Sequence, residues 1–136
     1  MSAPGEVTIA SVVADIGDTP YTVEIVAGHH RILADEPKGL GGANAGPSPF
    51  GYVLSGLAAC SAITLRMYCE RKAWPLIGIH VALTLRIVDG QRVIERIVQF
   101  GDGLEPSQVT RLAEVVEKTP VTLALKAGMT INTTIK

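Results

Sequence analysis

The chain has 136 residues, with 12 Lys and Arg against 13 Asp and Glu for a net charge of −1. It therefore has no basic excess to neutralise a phosphate backbone, and nucleic acid is excluded as a partner. At 47% hydrophobic, 18% charged and 4% aromatic, it carries more aliphatic surface than an ordinary domain needs for its own core, which points to a subunit interface. One domain spanning 1–136 is expected, since a chain of this length buries roughly two thirds of its unfolded surface without disulfide staples.

The N-terminus, Met1 to Glu6, has neither a basic start nor an apolar run, so no signal peptide is expected. The longest uncharged stretch that reads as helix, Pro49 to Leu65, falls short of the ~20 residues of a membrane span. The expectation is a cytoplasmic protein with no membrane partner and with both cysteines reduced.

In chain order, Val7, Ile9, Ser11 and Val13 alternate with Thr8, Ala10 and Val12, and Tyr21, Val23 and Ile25 alternate with Thr22 and Glu24. Period two with β-branched residues predicts strands over Glu6–Ala14 and Tyr21–Ala27, with a third over Arg31–Ala34. Gly17-Asp18 and Gly28-His29 mark the turns of an antiparallel meander. Four glycines and two prolines between Asp35 and Ser48 predict a loop. Ser48-Pro49 then suits an N-cap with Pro at the first helical position, opening a helix to about Lys72. Between Pro49 and Leu65 this helix is apolar or small on every side and is expected to be buried all round, with Gly51, Ser55, Gly56, Ala58, Ala59, Ser61 and Ala62 allowing close backbone approach.

Beyond Pro75, Ile77, Ile79, Val81, Leu83, Leu85 and Ile87 alternate with His80, Ala82, Thr84, Arg86 and Val88 up to Asp89-Gly90, a strong hairpin turn signal, and Arg92–Phe100 is the return strand. Pro106 starts a second helix whose Val109, Leu112, Ala113 and Val116 form an apolar stripe, with Glu114 and Lys118 paired on the other side. A short helix from Pro120 to about Lys126 stops at Gly128, and Met129, Ile131, Thr133 and Ile135 predict a final strand. Three strands, a helix, a hairpin, two helices and a strand do not alternate as βαβ units do, so the class is α+β.

Two thiols carry the chemical interest. Cys60 lies mid-helix among Ala58, Ala59, Ser61 and Ala62. On spacing alone it reads as a small buried hydrophobe, although its small neighbours leave room to reach the sulfur. Cys69 lies about 13.5 Å further along an ideal helix and on the opposite side, too far for an intrachain bridge, and reads as structural. His29-His30 and the lone His80 form no ligand set with the thiols, so no metal is expected. Asp35-Glu36 reads as a solvated loop edge, and the loop glycines match no phosphate-binding pattern. Ser55 and Ser61 have no sequence signal pairing them with a histidine and a carboxylate.

The runs Asp35-Glu36-Pro37, Gly41-Gly42, Gly46-Pro47-Ser48-Pro49, Leu57-Ala58-Ala59-Cys60 and Thr64-Leu65-Arg66-Met67-Tyr68 resemble the OsmC/Ohr superfamily, in its small OsmC-like branch. Glu117-Lys118-Thr119-Pro120-Val121 resembles its second motif, with Thr119 where a resolving cysteine ordinarily stands. The resemblance implies an α+β fold with antiparallel sheets wrapped around a buried central helix, in an intertwined homodimer. It implies that Cys60 attacks a hydroperoxide and becomes a sulfenic acid. With Thr119 in place of the second thiol, an external thiol must act as reductant, and no cofactor is implied. The family's activating glutamate and arginine are not matched: Phe50 and Gly51 follow Pro49, and Arg31 is the only arginine before the helix. Thr119 before Pro120 reads as a helix N-cap. The alternative reading is a non-catalytic dimeric protein that holds a small apolar or electrophilic ligand in an interface pocket at Cys60.

Overall fold

The alternating N-terminal residues form a three-stranded antiparallel meander, β1 (Val12–Ile16), β2 (Val23–Ala27) and β3 (His30–Ala34), in that spatial order. The structure, a computed structural model, describes residues 5–75 and 78–136. By contact density it comprises two units, Met1–Tyr52 and Val53–Lys136.

In the first unit, Ile25 of β2 pairs with Ala14 of β1 and Ile32 of β3. The first strand starts later than its sequence pattern: pairing begins at Val12 opposite Ala27, the last residue of β2. Residues 7–11 run on past that end and join no strand among the described residues, and Val7 and Ile9 are 85% and 96% exposed. The loop after β3 holds one short 3-10 turn, Lys38–Leu40. Two of its glycines are required by close approach: a Cβ on Gly42 would stand 2.0 Å from the Glu36 carbonyl oxygen, and one on Gly46 would stand 2.2 Å from that of Leu33. The Tyr52 hydroxyl donates to the Leu33 carbonyl, joining the first turn of the following helix to β3.

That helix, α1 (Pro49–Lys72), begins as the sequence predicts, with the Ser48 hydroxyl accepting from the Gly51 N–H at 3.1 Å. It ends in a Schellman turn: Ala73 takes φ 55°, the Trp74 N–H donates to the Cys69 carbonyl and the Ala73 N–H to that of Glu70. Burial is not all-round. Leu57, Ser61, Leu65 and Cys69, spaced by four, are buried, whereas Phe50, Val53, Ile63 and Met67 are 42–56% exposed. One chain supplies a cover for one face of the helix only. At 24 residues α1 is long and apolar enough by length and composition to cross a membrane, because the helix runs on past Leu65. Its buried stripe packs instead into a core cluster, in which Leu65 and Cys69 meet Leu112 and Val116 with Trp74, Val98 and Phe100 around them.

The second unit contains the hairpin β4 (Ile79–Val88) and β5 (Gln91–Phe100), then α2 (Pro106–Val116) and α3 (Pro120–Ala127). Ile77, expected to open the hairpin, lies outside the described residues. Asp89 and Gly90, at φ 50° and 79°, form the two-residue turn and fix Val88 opposite Gln91 and Ile79 opposite Phe100. Val81, Leu83 and Leu85 are half-buried while His80, Thr84 and Arg86 are exposed, as the alternation predicts. On α2 the buried residues are Leu112 and Val116, with Val115 packed against them; Val109 and Ala113 are exposed. Glu114 pairs with Arg111 at 2.7 Å and not with Lys118, which lies beyond the end of the helix. The α2 start is closed by the Glu105 N–H donating to the Gln108 side-chain oxygen at 2.8 Å.

The expected final strand is not paired. Residues 129–136 join no sheet, and Met129, Ile131 and Ile135 are 71–88% exposed. Alternation makes a segment fit for a sheet, but a strand forms only against an edge, and this segment has none among the described residues.

Candidate functional site

The helix α1 places Cys60 between two buried neighbours, Leu57 one turn before it and Ser61 directly after. Cys60 itself is half-buried, and its Sγ lies 3.9 Å from the Thr64 hydroxyl. Cys69 is sealed in the core at 1% exposure. Burial pushes its thiol pKa up, against a smaller lowering by Arg66, so it is held as the neutral, unreactive thiol. The structure thus separates the two thiols, one reachable and one enclosed.

The residue bound to Ser61, next to Cys60 in the chain, is Arg96, which sequence reasoning did not single out. On β5 the inward positions are Ile94, Arg96, Val98 and Phe100, so a guanidinium occupies a core-facing place. Its side chain is 12% exposed. Nη1 donates to the Ser61 hydroxyl at 3.0 Å and to the Thr122 hydroxyl at 2.9 Å, and Nη2 donates to the Val116 carbonyl at 3.1 Å. The nearest carboxylate is Glu117 at 3.7 Å, itself half-exposed and also bound by Lys126 at 2.8 Å. The Lys126 hydrogen bond lowers the Glu117 pKa against a smaller desolvation cost, with Arg96 adding to the lowering. The Ser61 hydroxyl donates in turn to the Leu57 carbonyl at 2.7 Å. The cation is therefore met mainly by neutral oxygens, which leaves a net positive centre beside the Cys60 turn.

Thr119 joins the same chain of hydrogen bonds. It is fully buried at the N-cap position of α3, but its hydroxyl makes no capping bond and pairs with the Thr122 hydroxyl at 2.5 Å. The N-cap reading thus holds for position and not for the side chain, whose hydroxyl is bound to that of Thr122. From Thr119 through Thr122 and Arg96 to Ser61, the second motif is linked to the residue that follows Cys60. A cavity of about 390 Å³ opens beside this link, floored by Leu57, Val98, Val116 and Leu125 with Arg96 and Thr122 in its wall; Cys60 does not line it.

The other sequence candidates lie elsewhere. Arg31 is exposed on β3 opposite Val26. Asp35 is not a solvated edge: it is 2% exposed, and its carboxylate accepts from the Thr22 hydroxyl at 2.8 Å and from the N–H groups of Glu36, Ala43 and Ala45 at 2.7, 3.3 and 3.1 Å. Acceptor-rich Asp suits a loop whose N–H groups converge, so it is the scaffold of the glycine-rich loop. Burial raises the Asp35 pKa, but the bonds from Ala45, Thr22, Glu36 and Ala43 together outweigh it and hold the carboxyl below its ordinary range. A depressed carboxylate stabilises the fold above its unfolded value of about 3.9 and loses that contribution as pH falls through the folded value. Asp35→Asn is expected to melt lower than wild type at pH 7, with the gap closing below about pH 3.9. Thermal melts giving a constant gap from pH 7 to 3 would reject this account.

The family model described as OsmC-like protein matches residues 41–134. No curated protein matches the sequence. Among solved structures, an OsmC-like protein from Mycoplasma pneumoniae superposes with a TM-score of 0.75 at 18% identity, over 88% of each chain. The organic hydroperoxide resistance protein OhrB of Bacillus subtilis is similar at 0.60 and 21%, over 88% of this chain and 91% of that one. An organic hydroperoxide resistance protein from Legionella pneumophila is similar at 0.60 and 18%, over 89% and 91%. These likenesses establish the fold, a central helix with antiparallel sheets.

Proposed function

The chain belongs to the OsmC-like family, and on that footing we propose that it acts against oxidants, with Cys60 reducing organic hydroperoxides at the expense of an external thiol. The observation that carries this reading is the contrast between the thiols within the matched segment: Cys60 is half-buried while Cys69 is enclosed. Similarity to hydroperoxide resistance proteins supports the redox role. In the reaction the Cys60 thiolate attacks the outer peroxide oxygen, the O–O bond breaks, and the departing alkoxide takes a proton to leave as alcohol. The resulting sulfenic acid is attacked by an external thiol, which releases water and forms a mixed disulfide. A second external thiol cleaves that disulfide and restores Cys60. The test is dithiol-dependent consumption of cumene hydroperoxide by the purified protein.

The same reading includes a cytoplasmic homodimer built from one domain per chain; the family match runs across both units, which supports the single domain. Support for the dimer is the apolar surface one chain leaves uncovered: Phe50, Val53, Ile63 and Met67 on α1, and Val7, Ile9, Met129, Ile131 and Ile135 near the two ends. Gly56, Ala59 and Ile63 form an exposed line on α1 along which a second copy of the helix fits closely. Burying one such aliphatic side chain contributes about 1.5–3 kcal/mol, enough in sum to hold two chains together. Light scattering is expected to give twice 14.3 kDa at micromolar concentration, and a monomer there counts against the dimer.

A second reading has one observation in its favour. The cavity beside Arg96 has room for a small molecule between aliphatic side chains and the charged Arg92, Arg96, Glu117 and Lys126, although Cys60, where this reading puts the ligand, does not line it. A protein that binds cumene hydroperoxide or its alcohol without dithiol-dependent consumption fits that reading instead.

A further inference from the structure

The reading of Cys60 as the working thiol leaves open what replaces the activating side chains that positions 50 and 51 lack. We propose that Arg96 is a positioning residue that clamps the second-motif turn, residues 116–122, against the α1 turn carrying Cys60. The inference rests on the reading of Cys60 as the functional thiol.

Three observations carry it. Arg96 sits at an inward position of β5, between Ile94 and Val98, where an aliphatic residue is the expected choice; a charge held there needs several partners. Its partners flank both motifs: Ser61, directly after Cys60, on one side, and the Val116 carbonyl and Thr122, directly before and after Glu117–Val121, on the other. One nitrogen joins Ser61 to Thr122 while the other reaches the Val116 carbonyl, and this span over two fixed nitrogens needs the planar fork of a guanidinium, which a lysine ammonium with all its donors on one nitrogen does not reproduce. The Thr119 hydroxyl, bound to Thr122, is then held at a set place relative to Ser61. Removing Arg96 leaves the second-motif turn without its polar tie to α1 and leaves the Ser61 and Thr122 hydroxyls short of a donor.

The experiment measures proximity and does not depend on peroxidase chemistry. In a Thr119→Cys background, the equilibrium between the dithiol and the Cys60 disulfide is titrated against reduced and oxidised glutathione, one glutathione disulfide giving two glutathiones per bridge formed. The equilibrium constant is the effective concentration of one thiol at the other. Arg96→Met is expected to lower it at least about tenfold, a change of ~30 mV in the two-electron couple. Arg96→Lys is expected to fall with Met, since one ammonium nitrogen does not hold the two hydroxyls and the Val116 carbonyl at the separation the two guanidinium nitrogens set. Ser61→Ala, a small change in a buried helix position, is expected to lower it severalfold and keeps the test alive if the arginine variants do not fold. Arg86→Met, an exposed arginine of the same hairpin, is the control and is expected to leave it unchanged. Values within twofold of the parent for the folded Arg96 variants and Ser61→Ala overturn the proposal, as does a parent that forms no bridge. Failure of hydroperoxide turnover alone overturns the peroxidase reading and leaves this result standing.

Discussion

Cys60→Ser is expected to abolish dithiol-dependent consumption of cumene hydroperoxide, whereas Cys69→Ser should keep most of the activity of each folded molecule while lowering stability. The asymmetry follows from where the structure puts the two sulfurs. Attack on a peroxide oxygen needs a thiolate that the oxidant can reach, and a serine hydroxyl in its place is not ionised at neutral pH. A loss of at least about a hundredfold, ~2.7 kcal/mol of barrier, is expected at position 60. Position 69 is enclosed by Leu65, Leu112 and Val116, and its burial-raised thiol pKa works against thiolate formation. Exchanging it for serine places a hydroxyl in an apolar cluster, with an expected cost of about 1–3 kcal/mol, reduced where the hydroxyl bonds back to the carbonyl one turn earlier. Steady-state rates and thermal melts of both variants separate these effects. Equal loss of activity in both variants with both folded, or sulfenic-acid label appearing mainly on Cys69, would remove Cys60 from its role.

Much of the architecture was legible because this chain states its periods plainly. Ser48-Pro49 at the start of α1 and Asp89-Gly90 between β4 and β5 act through local backbone chemistry, and each stands where the sequence predicts. What was not legible depends on partners distant in the chain. The alternation of residues 7–11 and 129–136 is real, yet neither segment joins a sheet among the described residues, because a strand also needs an edge to lie against. Asp35 resembles any acidic loop residue until the N–H groups of Ala43 and Ala45 turn toward it. Arg96 did carry a signal. In Arg92–Phe100 it shares its face with Ile94, Val98 and Phe100, and a charge at core parity marks a buried polar cluster whose members only the fold supplies. Cys60 was singled out through family motifs, since small neighbours on a helix do not distinguish a reachable thiol from a packed one.

Thr119→Cys is expected to convert a protein that stops at a sulfenic acid, or over-oxidises, into one that closes an intrachain disulfide after one equivalent of cumene hydroperoxide. Wild type has no route to a bridge. Since α1 is continuous from Pro49 to Lys72, Cys60 and Cys69 stay about 13.5 Å apart along its axis and on opposite sides, against a Cα limit of ~7 Å for a disulfide. Position 119 is different, because the links through Thr122 and Arg96 to Ser61 draw the second motif toward the Cys60 turn. The substitution itself is mild. Threonine and cysteine are close in volume, and the Thr119 hydroxyl caps no helix N–H, so the 0.5–2 kcal/mol of a lost cap does not apply. What is lost is one hydroxyl partner of Thr122, which keeps Arg96 and the Val116 carbonyl, so about 1 kcal/mol is the expected cost. Non-reducing peptide mapping reads the outcome directly. A bridge between residues 60 and 119 in the variant, with only oxidised monothiol in wild type, supports the second-motif placement. A bridge between Cys60 and Cys69 in wild type would require α1 to break, and the absence of any bridge in the variant would overturn the placement of residue 119 beside Cys60 and with it the Arg96 clamp.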